Sequence, residues 1–410
     1  MAAGDPGKGG SNAAPPGSHR LHVSRLYGVL LPRRAGGLLA GSVVSGPLRV
    51  LERPASGSIP EDPLVFLETL EGPTAWYVPG RDPTRLRIVT TLLHGNETSG
   101  FLALHDWLRS NIEPAVDAIC LIANVEAARI HPVFTNRSVP ERRDLNRCFH
   151  GPFDDPEGAL AGAILELISR RRPEAVVDLH NNTGHNPPYA IGIEPTADCL
   201  ALTGFFARRF IWSHLTLGAL LEAVPGCPAI TVEVGKTGED AADRTARAGV
   251  AKLLETDSLF DSDARACEVQ VLKMPMRARM RRNRRLVMAQ QIDAEADLTI
   301  PDDLDRHNFE TVPAGSRIGW VHGDGCPLEL VDEHDEDRAE DYFERRGDAL
   351  LARRPFMPIM ITVDAAIAAS DCLFYVVHDI SSSNTVRPAK HAAIITRPLD
   401  GSGRREEPSG

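Results

Sequence analysis

The sequence predicts an α/β fold, with a mainly parallel or mixed sheet flanked by helices and a smaller β-rich domain towards the C-terminus. Two features of the chain lead to this prediction. Up to about residue 263, short apolar strands alternate with longer helical stretches, the order that builds a parallel sheet covered by helices. After about residue 264, short β-like segments separated by polar turns take over. The 410 residues, 42% of them hydrophobic, can bury a substantial core and suggest roughly two or three domains.

The predicted domain boundaries follow changes in composition. Residues 1–22 are expected to form a flexible tail, because MAAGDPGKGGSNAAPPGSHR has no apolar run. The main domain spans 23–263 and begins with a β-rich lead-in to about Leu70, where short apolar runs alternate with Gly and Pro. The β-rich domain spans 264–400, and residues 401–410 form a second flexible tail.

The elements of the two domains differ in length and periodicity. In the main domain, the predicted strands are LRIVTTLL, AICLIAN, EAVVDL and PAITVEV, and the predicted helices are SGFLALHDWLRSNI, GALAGAILELISRRR and AADRTARAGVAKLLETD. In the C-terminal domain, the predicted strands are EVQVLKMPM, RLVMAQ, SRIGWVHG, FMPIMITVD and CLFYVV.

The charge distribution argues against a nucleic-acid partner. The formal net charge is −11, whereas affinity for phosphate backbones is built from clustered Lys and Arg. One strongly basic run, RARMRRNRR at Arg277–Arg285, is interpreted as a solvated turn or strand edge. The charged stretch DEHDEDRAEDYFERRGD is interpreted as a solvated loop or short helix.

The cysteines and apolar runs bear on the location of the protein. Seven cysteines are scattered along the chain with no C-x-x-C pair, so neither a disulfide framework nor a thiolate zinc site is indicated. We therefore expect reduced thiols and a cytoplasmic protein. No membrane association is predicted, because the apolar run LYGVLL is too short to span a bilayer and is followed by Pro32, Arg33 and Arg34.

Candidate metal ligands follow two of the predicted strands. TTLLHGNETSG ends a strand with His94 and Glu97, whose spacing lets both side chains face one metal ion. Catalytic zinc needs a third protein ligand and an open position, and His180 in EAVVDLHNNTG ends another strand of the same sheet. Asp178 can orient a ligand from behind, or cap a turn instead. The alternative interpretation of His180, taken by itself, is a structural histidine at a strand edge whose ring nitrogens are already hydrogen-bonded.

A third strand supplies a candidate general base. In AITVEVG, Glu233 lies among β-branched residues just before Gly235, so an ionisable group emerges at a strand end amid apolar surroundings. Such a group suits proton transfer from a metal-activated water. The alternative is a glutamate in a surface salt bridge at the end of the strand. The adjacent GKT does not complete a phosphate-binding loop, because that motif also requires a glycine at position 230, where this chain has Ile230.

The segment between the two ligand strands is rich in arginine. NRSVPERRDLNRCF contains Arg137, Arg142, Arg143 and Arg147, and Asn146 adds a neutral donor. The planar guanidinium fork matches a carboxylate in two hydrogen bonds, so a small molecule with a free carboxylate is the expected substrate. Arg142 and Arg143 are expected to be solvated.

Four motifs, HGNETSG, DLNRCF, DLHNNTG and VEVG, together resemble the succinylglutamate desuccinylase/aspartoacylase branch of the zinc carboxypeptidase-like (M14) hydrolases. The resemblance covers roughly Leu86 to Gly235. It implies a zinc carboxypeptidase-like fold and about one zinc per chain. The residue roles that it implies are zinc ligation by His94, Glu97 and His180, proton transfer by Glu233, carboxylate binding by Asn146 and Arg147, and polarisation of the scissile carbonyl by Arg137.

The chain departs from this family at two places. Arg137 lies seven residues before Asp144, a longer spacing than in relatives, so a small insertion is assumed. Relatives that act on acidic N-acyl amino acids carry an arginine shortly before the base strand, whereas LGALLEAVPGCP offers only Glu222 as a charge. We therefore expect a substrate side chain that is neutral or apolar, facing Leu220, Leu221 and Val224.

The segment TVPAGSRIGW resembles the C-terminal β domain of the family, from which Tyr342 and Tyr375 are candidates to reach the active site.

The function predicted from these residues is zinc-dependent hydrolysis of the amide bond of a small N-acyl amino acid or related carboxylated substrate. Metal-activated water would attack the carbonyl, and Glu233 would act as general base. An ester hydrolase or a carboxypeptidase-like peptidase would use the same residues. A non-catalytic metabolite-binding module is the alternative from another class. A closed structural metal site, however, needs a fourth ligand that the sequence does not offer.

Overall fold

The computed structural model describes most of residues 46–381. Within this range, positions 56, 225, 261–267, 366, 367 and 369–371 are not described, and upstream of it the description covers three two-residue strands. The predicted tails at 1–22 and 401–410 therefore lie outside the described residues.

Thirteen strands of the described chain form one mixed sheet. The described strands are β1 (Arg33–Arg34), β2 (Gly37–Leu38), β3 (Val43–Val44), β4 (Arg49–Glu52), β5 (Thr74–Val78), β6 (Asp82–Thr91), β7 (Val116–Ile122), β8 (Ala175–Asn182), β9 (Tyr189–Gly192), β10 (Arg209–Trp212), β11 (Ala229–Lys236), β12 (Gln270–Met280), β13 (Leu286–Met288), β14 (Leu298–Ile300), β15 (Arg317–Val321), β16 (Leu328–Val331), β17 (Phe343–Arg346), β18 (Ala349–Ala352), β19 (Met357–Ile359) and β20 (Phe374–Asp379). The order in the mixed sheet is β19-β20-β12-β10-β9-β11-β8-β6-β7-β5-β4-β3, with β16 also paired to β12. A five-stranded sheet has the order β13-β14-β15-β18-β17, and β1 pairs with β2.

The centre of the large sheet is parallel. Strand β6 runs parallel to both β7 and β8, and β8 runs parallel to β11. Because these four strands share one direction, their carboxyl ends meet at one edge of the sheet. The flanking strands β5 and β9 run antiparallel to β7 and β11. The predicted mixed α/β sheet is therefore confirmed.

Helices cover both faces of the parallel centre. The helices are α1 (Pro63–Thr69), α2 (Ser99–Ser110), α3 (Val125–Arg129), α4 (Pro156–Arg171), α5 (Ala197–Thr203), α6 (Leu220–Ala223) and α7 (Asp240–Glu255), with 3₁₀ turns at Leu145–Arg147 and Leu304–His307 and a short helix at Ala339–Tyr342. Local signals bound α4, because the Asp155 side chain accepts a hydrogen bond from the N–H of Gly158, Pro156 opens the helix, and Arg172 closes it in a left-handed conformation.

Side chains of the central strands alternate between two apolar clusters. Val89 and Val177 pack with residues of α2 and α7 on one face, while their neighbours Ile88 and Val176 pack with residues of α4 on the other. Strands buried on both faces read as nearly continuous apolar runs, which is why the sequence pattern located them.

The β-rich C-terminal region has its own apolar core, around residues such as Leu298, Leu350 and Phe374. It is not separate from the main sheet, however. Strand β12 pairs in parallel with β10, from Arg209 opposite Gln270 to Trp212 opposite Lys273, and β20 and β19 extend the sheet beyond it. The change in sequence pattern near residue 264 thus marks a change from helix-covered to strand-rich architecture within a continuous sheet.

The two charged segments have definite places in the fold. The run Arg277–Arg285 continues from β12 into the following turn. Because β12 has neighbours on both sides, the interpretation as a strand edge is wrong for its first part. Its side chains form ion pairs, Arg279 with Glu329 and Arg284 with Asp297 among them. The stretch from residue 332 forms a loop, the short helix at 339–342 and then β17.

No helix in the described part of the chain is long and apolar enough to cross a membrane. The six cysteines that lie among the described residues are all free thiols.

A buried ion pair fastens the amino-terminal edge of the sheet. Arg87 in β6, whose side chain is 1% exposed, donates from Nε to Glu174 Oε1 at 2.5 Å. Its Nη1 donates at 2.6 Å to the carbonyl oxygens of Leu253 and Thr256 at the end of α7. The guanidinium therefore joins the sheet to the last turn of this helix.

We expect Arg87→Ala to lower the free energy of unfolding by about 3–5 kcal/mol, because it leaves Glu174 and three carbonyl groups without their buried partner. The matched control is Arg81→Ala, which removes an exposed pair with Asp257 and should cost less than about 1 kcal/mol. Urea unfolding of both variants measures the difference. Similar small losses would contradict a structural role for the buried pair.

Candidate metal and catalytic site

A tight turn after β6 brings His94 and Glu97 together. The N–H of Glu97 donates to the carbonyl of His94 at 3.2 Å, and Nδ1 of His94 lies 2.8 Å from Oε1 of Glu97. Gly95 is required in this turn, because a Cβ there would lie 2.6 Å from the backbone nitrogen of Ala128. Both side chains are buried at the start of α2.

His180, near the end of β8, completes a group of three. Its Nδ1 lies 2.7 Å from Oε2 of Glu97 and 3.2 Å from Nδ1 of His94. One ligand atom from each of the three residues lies within 4.8 Å of the others, and all three residues are buried. The sequence-predicted ligands are thus brought together, and the group can hold a metal ion.

Asp178 orients His180 from behind. Oδ2 of Asp178 lies 2.7 Å from Nε2 of His180, and Oδ1 accepts a hydrogen bond from the hydroxyl of Thr90 at 2.5 Å. In the neutral ring that metal binding requires, the carboxylate therefore holds the proton on Nε2 and leaves the Nδ1 lone pair facing the site. Burial alone would lower the pKa of His180, but Asp178 and Glu97 raise it well above its usual value.

The donor set fits a divalent metal such as zinc. Two imidazole nitrogens and one carboxylate oxygen match a three-ligand catalytic site with an open position. Glu97 is held in its charged form: burial by itself would raise its pKa, but His94 and His180 lower it below the usual value. Its Oε2 also accepts the backbone N–H of Asn181 at 3.2 Å.

Asn181 ties the ligand turn to the neighbouring strand. Its side-chain oxygen accepts the N–H of Ser99, the first residue of α2, and its NH₂ group donates to Ser99 Oγ at 2.9 Å and to the carbonyl of Gly235 at 3.0 Å. A single buried amide therefore connects β8, α2 and β11 beside Glu97.

Glu233 lies directly beside His180, because these two residues are register partners in β11 and β8. A β-bulge follows, since the next pair joins Lys236 to Asn182, and Gly235 within it has φ +129°, which favours glycine. Oε2 of Glu233 accepts a hydrogen bond from Nδ2 of Asn182 at 3.1 Å. The base candidate thus enters the site at a strand irregularity.

The surroundings of Glu233 favour proton transfer. One part of its side chain remains accessible while the rest is enclosed by protein, and this desolvation raises the pKa of Glu233 to about 7, despite the opposing effect of His180. Among the described residues, no basic side chain forms an ion pair with Glu233 within 4 Å, so the alternative of a surface salt bridge is wrong.

Arg137 and Asp144 lie on the other side of His94. Nε and Nη2 of Arg137 each lie 3.0 Å from Oδ2 of Asp144, and Nη1 lies 3.6 Å from Oε1 of Glu97. Oδ1 of Asp144 is 3.2 Å from Nε2 of His94, although the two are not aligned as a hydrogen bond. Burial alone would raise the pKa of Asp144, but His94 and the arginines hold it well below its usual value. Arg137 thus lies near Glu97 in spite of the longer spacing.

The DLNR motif forms a 3₁₀ turn, which Asp144 caps at its start. The buried Asn146 accepts the N–H of Leu220 on Oδ1 at 3.0 Å, and the exposed Arg147 donates from Nη1 to the carbonyl of Asn146 at 2.8 Å. Arg142 and Arg143 point away and form ion pairs with Glu126 and Asp155, so they are paired rather than merely solvated.

The residues that were expected to face the substrate side chain, Leu220, Leu221 and Val224, lie in and directly after helix α6. Helix α6 turns Leu220 into the α4-facing cluster, so this side chain is buried and does not line the site. Val224, which follows the helix, packs against the same cluster and is only partly buried. Glu222 accepts the N–H groups of Leu217 and Gly218 at 2.8 Å, which fixes the loop before α6.

Of the two tyrosines considered for the active site, Tyr342 is buried in the C-terminal core, away from the site. Tyr375 packs in the apolar cluster that contains Tyr189.

Four polar residues of the site were not predicted to act there: Thr90, Asn181, Asn182 and Tyr189. For Asn181 and Asn182 the sequence carries one usable signal, the polar run HNNT that follows EAVVDL. No sequence pattern indicated that Tyr189 belongs to the site, because only the pairing of β9 with β11 places it opposite Glu233.

Comparison with known proteins agrees with this architecture. Residues 87–255 match the family model described as the succinylglutamate desuccinylase/aspartoacylase catalytic domain. This part of the chain is thus similar to the catalytic domain of that family. The resemblance predicted from four motifs is therefore confirmed. No curated protein sequence matches the chain significantly.

Solved structures are similar over most of the chain. A protein from Shewanella frigidimarina assigned to the succinylglutamate desuccinylase/aspartoacylase family has 13% identity and a TM-score of 0.50, with 77% of this chain and 94% of that chain covered. A succinylglutamate desuccinylase/aspartoacylase from Rhodobacter sphaeroides has 17% identity and a TM-score of 0.49, with 74% and 88% covered. Murine aminoacylase 3 has 19% identity and a TM-score of 0.45, with 73% and 97% covered. At these identities, the Shewanella structure indicates a shared fold.

We expect His94→Ala and His180→Ala to abolish tight zinc binding by this desuccinylase/aspartoacylase-type domain, and Asp178→Asn to weaken it roughly 10–100-fold, because the amide cannot hold the imidazole proton as the carboxylate does. Competition with a chromophoric chelator measures the affinities. The exposed His185, which faces Glu239, provides the control His185→Ala, expected to bind zinc normally. Full zinc affinity in His94→Ala and His180→Ala would contradict the ligand assignment.

Proposed function

We propose that the protein is a zinc-dependent hydrolase that cleaves the amide bond of a small N-acyl amino acid or related carboxylated substrate. The observation that carries this proposal is the register pairing of Glu233 with His180, which sets a carboxyl group of raised pKa beside the three-residue metal group. A metal site with no base beside it would favour a structural role instead.

His94, Glu97 and His180 would hold the zinc ion. When bound there, zinc lowers the pKa of water towards neutrality and polarises a substrate carbonyl. The network behind the ligands supports this use, because Asp178 fixes the proton of His180 and the N–H of Asn181 fixes Glu97.

Glu233 would take up and release a proton during turnover. A general acid–base group works best when its pKa lies near the working pH, and desolvation raises the pKa of Glu233 to about 7. The carboxylate can accept a proton from the attacking water and deliver it to the leaving amine.

Arg137 would stabilise the negative charge that develops on the carbonyl oxygen. Asp144 binds Nε and Nη2 and so holds the guanidinium on one side, while Nη1 lies nearer Glu97. A fixed cation at this position needs no reorganisation when charge develops on the substrate.

Arg147 and Asn146 would bind the substrate carboxylate. The Arg147 side chain is exposed at the 3₁₀ turn, and the oxygen of Asn146 is already used by Leu220, so its NH₂ group is the part left for a ligand. A second carboxylate on the substrate would meet Glu222 rather than an arginine, since the Glu222 loop is tied to this turn by the bond from Phe149 N–H to Gly218 oxygen. A neutral or apolar side chain is therefore favoured.

Esters and short peptides would use the same residues, whereas a metabolite-binding module would leave Glu233 without a task. A panel of N-acyl amino acids, esters and short peptides, tested with the zinc-loaded protein, separates these functions.

We expect Glu233→Gln to lower kcat about 10²–10⁴-fold while the fold and zinc content are retained, because glutamine keeps the shape of the side chain but cannot carry the proton. The control Glu239→Gln alters a glutamate six residues further along, which faces His185, and should leave kcat unchanged. Circular dichroism and metal analysis check that both variants are intact. Near-normal turnover by Glu233→Gln would place the base elsewhere.

We expect the enzyme to prefer an N-acyl amino acid over its α-amide, and an apolar N-acetyl amino acid over N-acetylaspartate. Arg147→Lys should lower kcat/KM about tenfold or more, because lysine cannot reproduce the two-pronged hydrogen bond. Arg142→Lys, in an exposed ion pair with Glu126, serves as the control. Equal rates for acid and amide, or a clear preference for aspartate, would contradict the assignment.

A further inference from the structure

The amide of Asn182 lies between Glu233 and Tyr189. Nδ2 of Asn182 is 3.1 Å from Oε2 of Glu233 and 3.0 Å from the hydroxyl of Tyr189. An amide nitrogen has two hydrogens, so it can serve both acceptors at once. Among the described residues, the Glu233 side chain forms no other hydrogen bond, so Asn182 is its principal polar contact.

The orientation of this amide follows from its partners. An ionised carboxylate only accepts hydrogen bonds, so the NH₂ group and not the oxygen must face Glu233. The oxygen of Asn182 is buried and has no hydrogen-bond partner among the described residues. The amide is therefore held through its two donors alone, which makes the bond to Tyr189 the second support of the arrangement.

Tyr189 is held in turn by the C-terminal region. It is fully buried, and its ring lies 4.8 Å from the ring of Phe309, which follows the 3₁₀ turn at Leu304–His307. The loop that precedes Tyr189 is tied to the same region, because Asp305 Oδ2 accepts the N–H of His185 at 3.1 Å and Nδ2 of Asn308 donates to the carbonyl of His185 at 3.0 Å. A continuous path of contacts thus runs from the C-terminal region through Tyr189 and Asn182 to Glu233.

We propose that Asn182 is a positioning residue that holds the Glu233 carboxylate at the metal group, and that Tyr189, backed by Phe309 of the C-terminal region, holds Asn182 in place. This inference rests on the proposed role of Glu233. It gives the β-rich C-terminal region a task in the reaction, since that region fixes the base through packing without contributing a group to the chemistry.

The hydrogen bond from Asn182 favours one orientation of the Glu233 carboxylate. Glu233 enters the site at a β-bulge, where the backbone is less constrained by regular pairing than in the middle of a strand. A hydrogen bond from Asn182 stabilises the ionised form and restricts the side-chain torsions. Loss of that bond should therefore reduce the fraction of molecules in which Glu233 is correctly placed, which affects kcat more than KM.

The kinetic test compares Asn182→Ala, Asn182→Asp and Tyr189→Phe. Asn182→Ala should lower kcat roughly tenfold with KM changed less than about twofold, on the scale of one hydrogen bond to a charged group. Asn182→Asp should be at least as harmful although it keeps the shape of the side chain, because a second carboxylate repels Glu233. Tyr189→Phe should give a smaller fall. Tyr342→Phe removes a hydroxyl from the C-terminal core and should change neither constant.

A merely structural role for Asn182 predicts different results. If Asn182 only fills space, Asn182→Asp should be milder than Asn182→Ala. Zinc content, measured for every variant, must stay at the wild-type level for the positioning role to hold. An unchanged kcat in Asn182→Ala, or a loss of activity that follows loss of zinc, would overturn the proposal.

A double-mutant cycle in urea unfolding tests the contact without any need for turnover. The shifts in unfolding midpoint of Asn182→Ala and Glu233→Ala should not add in the double variant, and neither should those of Asn182→Ala and Tyr189→Phe. The pair Asn182→Ala and Tyr342→Phe should add, because these side chains do not touch. Additive shifts for Asn182 and Glu233 would overturn the positioning role even in an active enzyme. If the wild-type protein hydrolyses none of the substrates, the proposed function fails, while the cycle still decides whether Asn182 holds Glu233.

Discussion

The backbone pairing of β8 with its two parallel neighbours fixes the geometry of the whole site. Thr90 in β6 is the register partner of Asp178, and Glu233 in β11 is the register partner of His180. Ladder hydrogen bonds set these pairs side by side, so the oxygen behind His180 and the Glu233 carboxyl group beside it occupy positions that the sheet defines. A slip of one residue in either pair would turn the side chains to the opposite face and dismantle the site.

The polar network at this edge also has an energetic cost, which the fold offsets by near-complete pairing. Asp178, His180 and Glu97 are buried, and each has a charged or hydrogen-bonding partner at 2.7 Å. Buried charges without partners are strongly destabilising, so such a group persists only when the surrounding strands hold every member in place. The apolar clusters on the two faces of the sheet supply that rigidity, and Arg87 joins the opposite edge to α7.

The described part of the C-terminal region is connected to the site by packing and hydrogen bonds. Strand β12 extends the main sheet, so the β-rich part is attached by a hydrogen-bonded ladder and not by a linker alone. From this base the segment around Phe309 reaches Tyr189. Of the two tyrosines singled out from the C-terminal sequence, Tyr342 is enclosed in the core of this region, whereas Tyr375 belongs to the cluster that contains Tyr189.

The sequence by itself determined the fold class and the residues of the metal group. Central strands buried on both faces leave long apolar runs, and a histidine or carboxylate after such a run stands out, which is how His94, Glu97, His180 and Glu233 were found. Tertiary structure alone decided how their partners are arranged. Asn182 and Tyr189 meet only because a bulge shifts β11 and β9 pairs with it antiparallel. Leu220 was expected in the pocket, but the direction of a short helix turns it into the core. Residue type and spacing report which groups end a strand, whereas strand order, register and helix rotation depend on long-range packing that no local pattern encodes.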